Sequence, residues 1–257
     1  MKRDAVVVEH ASFAPSRGAG VVLEDVDAAA TAGRITVVVG ANAAGKTTLL
    51  RAIAGLLPVR TGRISIEIDG ARRDPRRVPV RLRAAHLAYL PQRIRPAAGF
   101  GVEESVAMGR HALSRRPGRI EEAIERLALG ELRDRTVETL SVGQQQRVGL
   151  ARTLAQHEPA GVLVLDEPFA PLDLRETARA AGVLREVAEA GATVLASVHD
   201  LGLAARFGDD VWLLDGGRLA ACGAAETVLV PSRLEALFGR EAIDLAGLRL
   251  HGGAPPE

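Results

Sequence analysis

Residues 40–48 constrain this chain more than any other segment, and they read Gly-Ala-Asn-Ala-Ala-Gly-Lys-Thr-Thr. Their spacing matches G-x-x-x-x-G-K-[ST], the pattern of the phosphate-binding loop called Walker A. An apolar β-type run, residues 35–39, precedes the loop, and a helix-like stretch that reaches Leu57 follows it. Because the motif requires a strand, a loop and a helix in this order, the segment predicts a phosphate site at the start of a helix.

The residue types in the loop fit this chemistry. Glycines allow backbone N–H groups to turn towards phosphate oxygens, and the helix adds its positive N-terminal end. Lys46 would reach the β- and γ-phosphates, and the Thr47 hydroxyl would hold Mg²⁺. Lys46 is one of only two lysines in the chain, which indicates that a slender point charge is needed there. The predicted nucleotide contacts in the loop are Gly40, Ala41, Asn42, Ala43, Ala44, Gly45, Lys46, Thr47 and Thr48.

Composition limits the class of protein. A chain of 257 residues has room for one large domain or for a core with a subdomain. A formal net charge of +1 argues against general attraction to nucleic acid or to membranes. The single cysteine, Cys222, excludes an intrachain disulfide. No apolar run approaches the ~20 residues of a membrane span, and the N-terminus does not resemble a signal peptide, so we expect a cytoplasmic protein.

A second motif lies downstream, where the apolar run Val162–Leu165 is followed directly by Asp166 and Glu167. Four consecutive apolar residues predict a strand that is buried on both faces, as in a parallel α/β sheet. Open α/β sheets bind ligands at the carboxyl ends of their strands. Alone, the pair could equally be ordinary strand-end carboxylates. With the phosphate loop upstream, we expect Asp166 to hold Mg²⁺ through water and Glu167 to polarise the attacking water.

Two further segments have both a structural and a functional interpretation. The strand-like residues 193–198 end at His199, which is either a γ-phosphate sensor or an ordinary strand-end histidine before a helix cap. Residues 140–147 read Leu-Ser-Val-Gly-Gln-Gln-Gln-Arg, in which Ser141 and Gln144 form a capping box. The capping box leaves Gly143 unexplained, since glycine is a poor helix residue. A small residue there would let a phosphate approach the helix closely.

Taken in order, these motifs resemble those of the ATP-binding subunits of ABC transporters. Residues 140–144 are similar to the LSGGQ signature, and Asp166 with Glu167 to the Walker B segment and its catalytic glutamate. His199 matches the switch histidine, and Leu-Pro-Gln at 90–92 matches the Q-loop. Ala-Pro-Leu-Asp at 170–173 resembles the D-loop. Phe13 is similar in position to the aromatic residue that stacks on adenine, although a core aromatic would fit its sequence context as well.

The resemblance implies a P-loop NTPase fold of the ABC cassette type, with a RecA-like core, an antiparallel β subdomain and an inserted helical subdomain. The core would comprise residues 1–92 and 156–257, and the helical subdomain residues 93–155. The family's cofactors are ATP and Mg²⁺, and Gln92 would contact the metal together with Thr47 and Asp166. A homodimer would hold two ATP molecules between the subunits. Each subunit would contact its partner's ATP through Ser141, Gly143 and Gln144, and Asp173 of the D-loop is a further expected nucleotide contact.

Two residues depart from the family pattern, which usually has glycine at both positions. Ala43 lies in the phosphate loop, where the backbone N–H donors survive the change, so we expect nucleotide binding to be kept. Val142 lies in the signature, where a β-branched side chain is expected to crowd the loop and slow hydrolysis.

Residues 199–207 are similar to the switch region of importer ATPases for iron siderophores, haem and cobalamin. Residues 107–110, which read Ala-Met-Gly-Arg, and residues 234–239 also resemble these ATPases. The resemblance implies uptake of a metal chelate, with permease subunits and a substrate-binding protein as partners and a position on the cytoplasmic face of the membrane. Zinc or manganese importers and soluble single-cassette assembly ATPases remain alternatives. A GTPase would need an Asn-Lys-x-Asp motif, and Asn42 is the only asparagine.

Local patterns outside the motifs predict three more elements. Residues 102–155 are expected to be mainly helical, because Ile120, Ala123 and Ile124 fall at helix spacing. Residues 211–220 are expected to form a hairpin with a turn at 215–217. Ser232 and Glu235 predict a capping box for a last short helix. The final residues, 252–257, are expected to be disordered.

Overall fold

The strands of the computed structural model form two sheets, and the residues described are 3–14, 20, 22–94, 99–114 and 116–239. The predicted disorder of residues 252–257 lies outside these ranges. The strands in the described ranges are β1 (Asp4–Phe13), β2 (Leu23–Thr31), β3 (Ile35–Gly40), β4 (Val59–Ile68), β5 (Ala71–Arg73), β6 (Leu87–Leu90), β7 (Val162–Leu165), β8 (Thr193–Ser197), β9 (Asp210–Asp215) and β10 (Arg218–Ala224).

The larger sheet positions the phosphate loop. Its order within the described chain is β10-β9-β3-β8-β7-β6. All neighbouring pairs are parallel except β9 and β10, which form the expected antiparallel hairpin. Every residue of β7 and β8 is buried, because helices cover both faces of a parallel sheet. This confirms the prediction of a doubly covered strand before Asp166.

The smaller sheet is antiparallel and has the order β2-β1-β4-β5 in the described residues. Its inward side chains, among them Val6, Ile64 and Ile66, are buried and share one hydrophobic cluster with α-helical residues next to the phosphate loop. Phe13, at the end of β1, is fully buried in this cluster. The small sheet therefore packs against the region that the loop occupies.

The helices of the described chain flank these sheets. They are α1 (Lys46–Ile53), α2 (Val80–His86), α3 (Val102–Ala107), α4 (Pro117–Arg126), α5 (Val142–Gln156), α6 (Leu174–Glu189), α7 (Leu201–Phe207), α8 (Ala225–Val228) and α9 (Pro231–Phe238). None of the described helices is long and apolar enough to cross a membrane. Short 3₁₀ turns at 108–110, 130–132 and 137–139 separate α3, α4 and α5, so residues 102–155 are helical with interruptions.

Of two local predictions about helices, one is confirmed and the other is wrong. Ile120, Ala123 and Ile124 are buried on one face of α4, as their spacing predicts. The capping box at Ser232 and Glu235 is wrong, because α9 begins at Pro231, and its N-cap residue is Val230, two residues before Ser232. Proline suits the first helical position, since its missing N–H has no partner there in any helix.

Candidate nucleotide-binding site

The phosphate loop joins the end of β3 to the start of α1. Gly45 has φ +98°, and a Cβ there would lie 2.6 Å from Leu23 Cγ, so only glycine fits. Ala43 adopts φ +64°, a left-handed conformation that glycine tolerates more easily than alanine. Ala43 therefore holds a left-handed backbone conformation at a modest conformational cost.

Lys46 is 5% exposed and points back over its own loop. Its Nζ donates hydrogen bonds to the carbonyl oxygens of Gly40, at 2.8 Å, and Ala41, at 3.0 Å. Burial lowers the pKa of Lys46, and the nearby carboxylates of Glu167 and Asp166 oppose that shift. The ammonium group is thus held in a desolvated position beside the loop carbonyls, where its charge is weakly screened.

Asp166 is fully buried at the end of β7. Its Oδ1 accepts hydrogen bonds from Ser197 Oγ at 2.8 Å and from Thr47 Oγ1 at 3.2 Å. Its Oδ2 has no hydrogen-bond partner among the residues that the structure describes. Burial raises the pKa of Asp166, and the hydrogen bonds from Ser197 and Thr47 counteract it. Motifs 119 positions apart in sequence therefore meet at one carboxylate.

Glu167 has φ +50°, an unusual backbone conformation for a glutamate. Its N–H donates to Ser197 Oγ at 2.8 Å, and its Oε1 contacts His199 Nε2. Backbone strain of this kind costs on the order of 1–3 kcal/mol and persists only where neighbouring groups fix it. The side chain and the backbone of Glu167 are thus both fixed by β8 and the residues that follow it.

The predicted residues from four separate segments line one cavity of about 520 Å³. It is bounded by residues 42–48 of the phosphate loop together with Gln92, Glu167, His199 and Val22. The Q-loop glutamine lies here because β6 is the parallel neighbour of β7. This arrangement brings a cation, backbone donors, a carboxylate and an imidazole around a volume in the range of ligand pockets.

The signature residues are placed elsewhere. Ser141 is the N-cap residue of α5, and the predicted capping box with Gln144 is present. Neither residue, nor Gly143, lines the cavity of the phosphate loop. A Cβ on Gly143 would lie 2.8 Å from the carbonyl oxygen of Pro171, whereas the Val142 side chain is exposed at 70%. The N-terminus of α5 therefore presents its first turn outwards.

Asp173 is the N-cap residue of α6, since its Oδ1 accepts a hydrogen bond from the Glu176 N–H at 2.8 Å. It also lies outside the lining of the cavity around the phosphate loop. Leu174, the next residue, is 86% exposed. Like Val142, it is a large apolar side chain left open to solvent beside a predicted contact with a second subunit.

The interpretation of Phe13 as the adenine-stacking residue is wrong for this structure. Its ring has no exposed surface and packs in the core under the small sheet. Stacking requires an accessible ring face, which a fully buried side chain does not offer. Val22, Ala43 and Ala44 are apolar residues that do line the cavity.

Two site residues were not found from the sequence. Ser197 bonds both carboxylate residues, and Gln146, at 3% exposure, donates to the carbonyl oxygens of Glu167 and Pro168. The only signal for Ser197 is its position two residues before His199. Gln146 belongs to a polar run that the capping box leaves unexplained.

Comparisons with known proteins agree with this geometry. The family model described as ABC transporter matches residues 23–170. The hemin import ATP-binding protein HmuV of Pseudomonas entomophila (strain L48) is 41% identical over 234 residues, covering 88% of this chain and 90% of that protein. The cobalamin import ATP-binding protein BtuD of Halobacterium salinarum (strain ATCC 29341 / DSM 671 / R1) is 37% identical over 224 residues, covering 84% of this chain and 55% of that protein.

Among solved structures, one titled "Structure of ATP binding subunit of ABC transporter" superposes with a TM-score of 0.77 at 26% identity. The match covers 95% of this chain and 99% of the other. A family match over more than half of the sequence, relatives near 40% identity and a shared cassette fold all agree. This chain belongs to the ABC transporter family.

Proposed function

We propose that this chain is the ATP-hydrolysing subunit of an ABC importer that takes up a metal chelate of the haem or cobalamin class. The observation that carries the ATPase activity is the convergence of the phosphate loop, Gln92, Glu167 and His199 on one cavity. The cargo class rests on relatives that are named for the import of hemin and cobalamin.

ATP would bind with its phosphates in the turn of residues 40–48 and at the N-terminus of α1. Lys46 supplies a buried positive charge for the β- and γ-phosphates. Mg²⁺ fits the oxygen donors of this site, because Thr47 Oγ1 and Asp166 lie in contact and Asp166 Oδ2 lacks a partner among the described residues. Thr47, Gln92 and Asp166 would hold the ion, directly or through water, and the bound ion would neutralise charge on the phosphates.

Hydrolysis would depend on Glu167 and His199. The carboxylate of Glu167 lies at the cavity wall and is the group that would accept a hydrogen bond from the attacking water. His199 contacts this carboxylate and would fix its direction towards the γ-phosphate. Phosphoryl transfer needs positioning and charge stabilisation more than covalent chemistry, and these residues supply both.

The functional unit would be a homodimer, in which two ATP molecules lie between the subunits. Ser141, Gly143 and Gln144 do not line the cavity at the phosphate loop of their own chain, and they would contact ATP bound by the partner. Asp173 would lie at the same interface. The exposed side chains of Val142 and Leu174 would then be covered.

Residues 1–92 and 156–257 would form the nucleotide-binding core, and residues 93–155 would form the helical subdomain. Permease subunits would bind this chain at the cytoplasmic face of the membrane, and a substrate-binding protein would deliver the metal chelate to them. No nucleic acid partner is proposed.

Two variants test the activity. Lys46→Ala is expected to abolish ATP binding, because the loop loses its only cation. Glu167→Gln is expected to bind ATP and to accumulate as a dimer, because the carboxylate that polarises water is gone and hydrolysis is slow. Light scattering with ATP distinguishes monomer from dimer. A Lys46→Ala protein with normal turnover, or monomeric Glu167→Gln in ATP, would contradict the proposal.

The cargo and the partners need a separate experiment. The tagged chain would be isolated from gently solubilised native membranes, and its partners would be identified by mass spectrometry. Recovery of a multi-helix permease with a binding protein for haem or a corrinoid is expected. Recovery of soluble partners alone would favour an assembly ATPase instead.

A further inference from the structure

We propose that Gln146 is a positioning residue that fixes the backbone of Glu167 and links the signature end of α5 to the general base of the same subunit. The inference rests on the proposed function, in which Glu167 polarises the attacking water. It assigns a role to a side chain that contacts neither the nucleotide cavity nor, by the proposed dimer, the partner's ATP.

The main chain of Glu167 is held from two sides. Ser197 Oγ, on β8, accepts the hydrogen bond of the Glu167 N–H at 2.8 Å. Gln146 Nε2, on α5, donates to the Glu167 carbonyl at 3.3 Å and to the Pro168 carbonyl at 3.4 Å. Because φ of Glu167 is +50°, this backbone needs both supports to hold a conformation that few glutamates adopt.

Gln146 is well placed to transmit movement, since it is 3% exposed and lies one helical turn from the signature. A buried amide must keep its hydrogen bonds, because breaking them leaves polar groups without partners. A rotation of α5 would therefore move the peptide group between Glu167 and Pro168. The hydrogen bond from Ser197 would hold the other side of the residue in place.

Other contacts attach the same end of α5 to the segment that follows Glu167. Gly143 approaches Pro171 so closely that a Cβ would lie 2.8 Å from its carbonyl oxygen. Arg147 Nε lies 3.3 Å from Glu176 Oε2, on α6. The first turns of α5 thus contact the chain at three points between residues 167 and 176. Movement of the signature turn would reach the base through these contacts, and Gln146 is the one that touches its backbone.

The test compares two glutamines of α5 with the same kind of bonding. Gln146→Met removes the donor from the Glu167 carbonyl. Gln156→Met is the matched control, because Gln156 Nε2 donates to the carbonyls of Ala84 and Leu87, at 3.2 and 3.0 Å, far from the site. ATP turnover of the purified full chain, ATP affinity and thermal unfolding would be measured for each variant.

Gln146→Met is expected to lower kcat about 10- to 100-fold, since a base displaced by about 1 Å loses roughly that much rate. Its ATP affinity should stay within about twofold, because the phosphate loop is untouched. Gln156→Met should lose stability but keep its kcat. Gln146→Leu, which also lacks the donor, is a second variant if Gln146→Met folds poorly, and it should lower kcat by a similar factor.

A double variant separates positioning from general damage. If Gln146 acts through Glu167, Gln146→Met should cause no further loss in single-turnover assays when it is added to Glu167→Gln. Unchanged kcat in Gln146→Met, or additive losses in the double variant, would overturn the inference while leaving the proposed function intact. Normal turnover in Glu167→Gln itself would instead refute the proposed function.

Discussion

Ser197 Oγ donates a 2.8 Å hydrogen bond to Asp166 Oδ1 and accepts one of the same length from the N–H of Glu167. One hydroxyl group therefore positions both acidic residues of the site. All three residues lie on or directly after neighbouring parallel strands, and the hydroxyl of Ser197 is fully buried with Asp166.

Ser197→Ala is expected to lower the free energy of unfolding by about 1–3 kcal/mol, because the N–H of Glu167 and the buried carboxylate of Asp166 each lose a hydrogen-bond partner. It should also lower kcat and raise the Mg²⁺ concentration needed for half-maximal activity, since the direction of the Asp166 carboxylate changes. Urea denaturation and ATPase titration with Mg²⁺ measure these effects.

Thr36→Val is the control for Ser197→Ala. The Thr36 hydroxyl is also buried, but it has no hydrogen-bond partner within the described residues. Replacing it with a methyl group removes an unpaired polar atom at nearly constant shape, so stability should stay the same or rise by about 1 kcal/mol. Equal destabilisation by the two changes would show that the hydrogen bonds of Ser197 contribute little.

Phe13→Leu tests the corrected role of Phe13. A core position predicts a loss of about 1 kcal/mol or slightly more in unfolding free energy, because the replacement leaves part of the ring volume empty. ATP affinity, measured with a fluorescent nucleotide, should not change. A large drop in ATP affinity without loss of stability would mean that the ring reaches the nucleobase.

Val142→Gly tests whether valine slows hydrolysis at a signature position where the family usually has glycine. We expect a severalfold rise in ATP turnover, because the exposed isopropyl group stands where the proposed dimer brings the partner's phosphates close to the N-terminus of α5. The cost in stability should be at most about 1 kcal/mol, the usual difference for glycine in a helix. Turnover that is unchanged would show that Val142 does not crowd the interface.

Gly143→Ala provides the contrast at the neighbouring position. Its Cβ would lie 2.8 Å from the Pro171 carbonyl oxygen, so the change should destabilise the free subunit as well as slow hydrolysis. Unfolding of the monomer without nucleotide separates this effect within one subunit from effects at the dimer interface.

The buried side chain of His157 should make the free energy of unfolding depend on pH. Burial, with a smaller contribution from Arg119, lowers the pKa of His157 to about 4. Between about pH 6.5 and pH 4, the unfolded chain binds a proton that the folded chain excludes, so the free energy of unfolding falls as the pH falls. At about 1.4 kcal/mol for each pH unit, this histidine contributes about 3 kcal/mol over the full range.

The measurement is urea unfolding at several values between pH 7.5 and pH 5. His157→Gln should show a flatter pH dependence than the unsubstituted chain, by about 2 kcal/mol over this interval. His111→Gln, at an exposed position, is the control for the loss of a histidine side chain. Identical pH profiles for all three proteins would show that His157 accepts a proton without unfolding.

The sequence predicted those parts of the site that are made by consecutive residues. The phosphate loop, the buried strand before Asp166 and the capping box of Ser141 and Gln144 are all present. Each depends on local spacing, in which a few neighbouring residues determine the hydrogen bonds or the buried face. The capping box at Ser232 failed because Pro231 occupies the first position of α9 and starts the helix there.

The structure decided which distant residues meet. The register of β7 and β8 pairs Leu165 with Ala196, and this brings Ser197 beside Asp166. Packing of β1 against the core, and not its sequence pattern, buried Phe13 and left Val22 at the cavity. Gln146 reaches Glu167 because α5 packs against β6, the parallel neighbour of β7. The sequence by itself determined a phosphate loop, its acidic partners and an ABC signature, since these are short motifs. The contacts that orient the carboxylates required strand register and helix packing, because no local pattern encodes either of them.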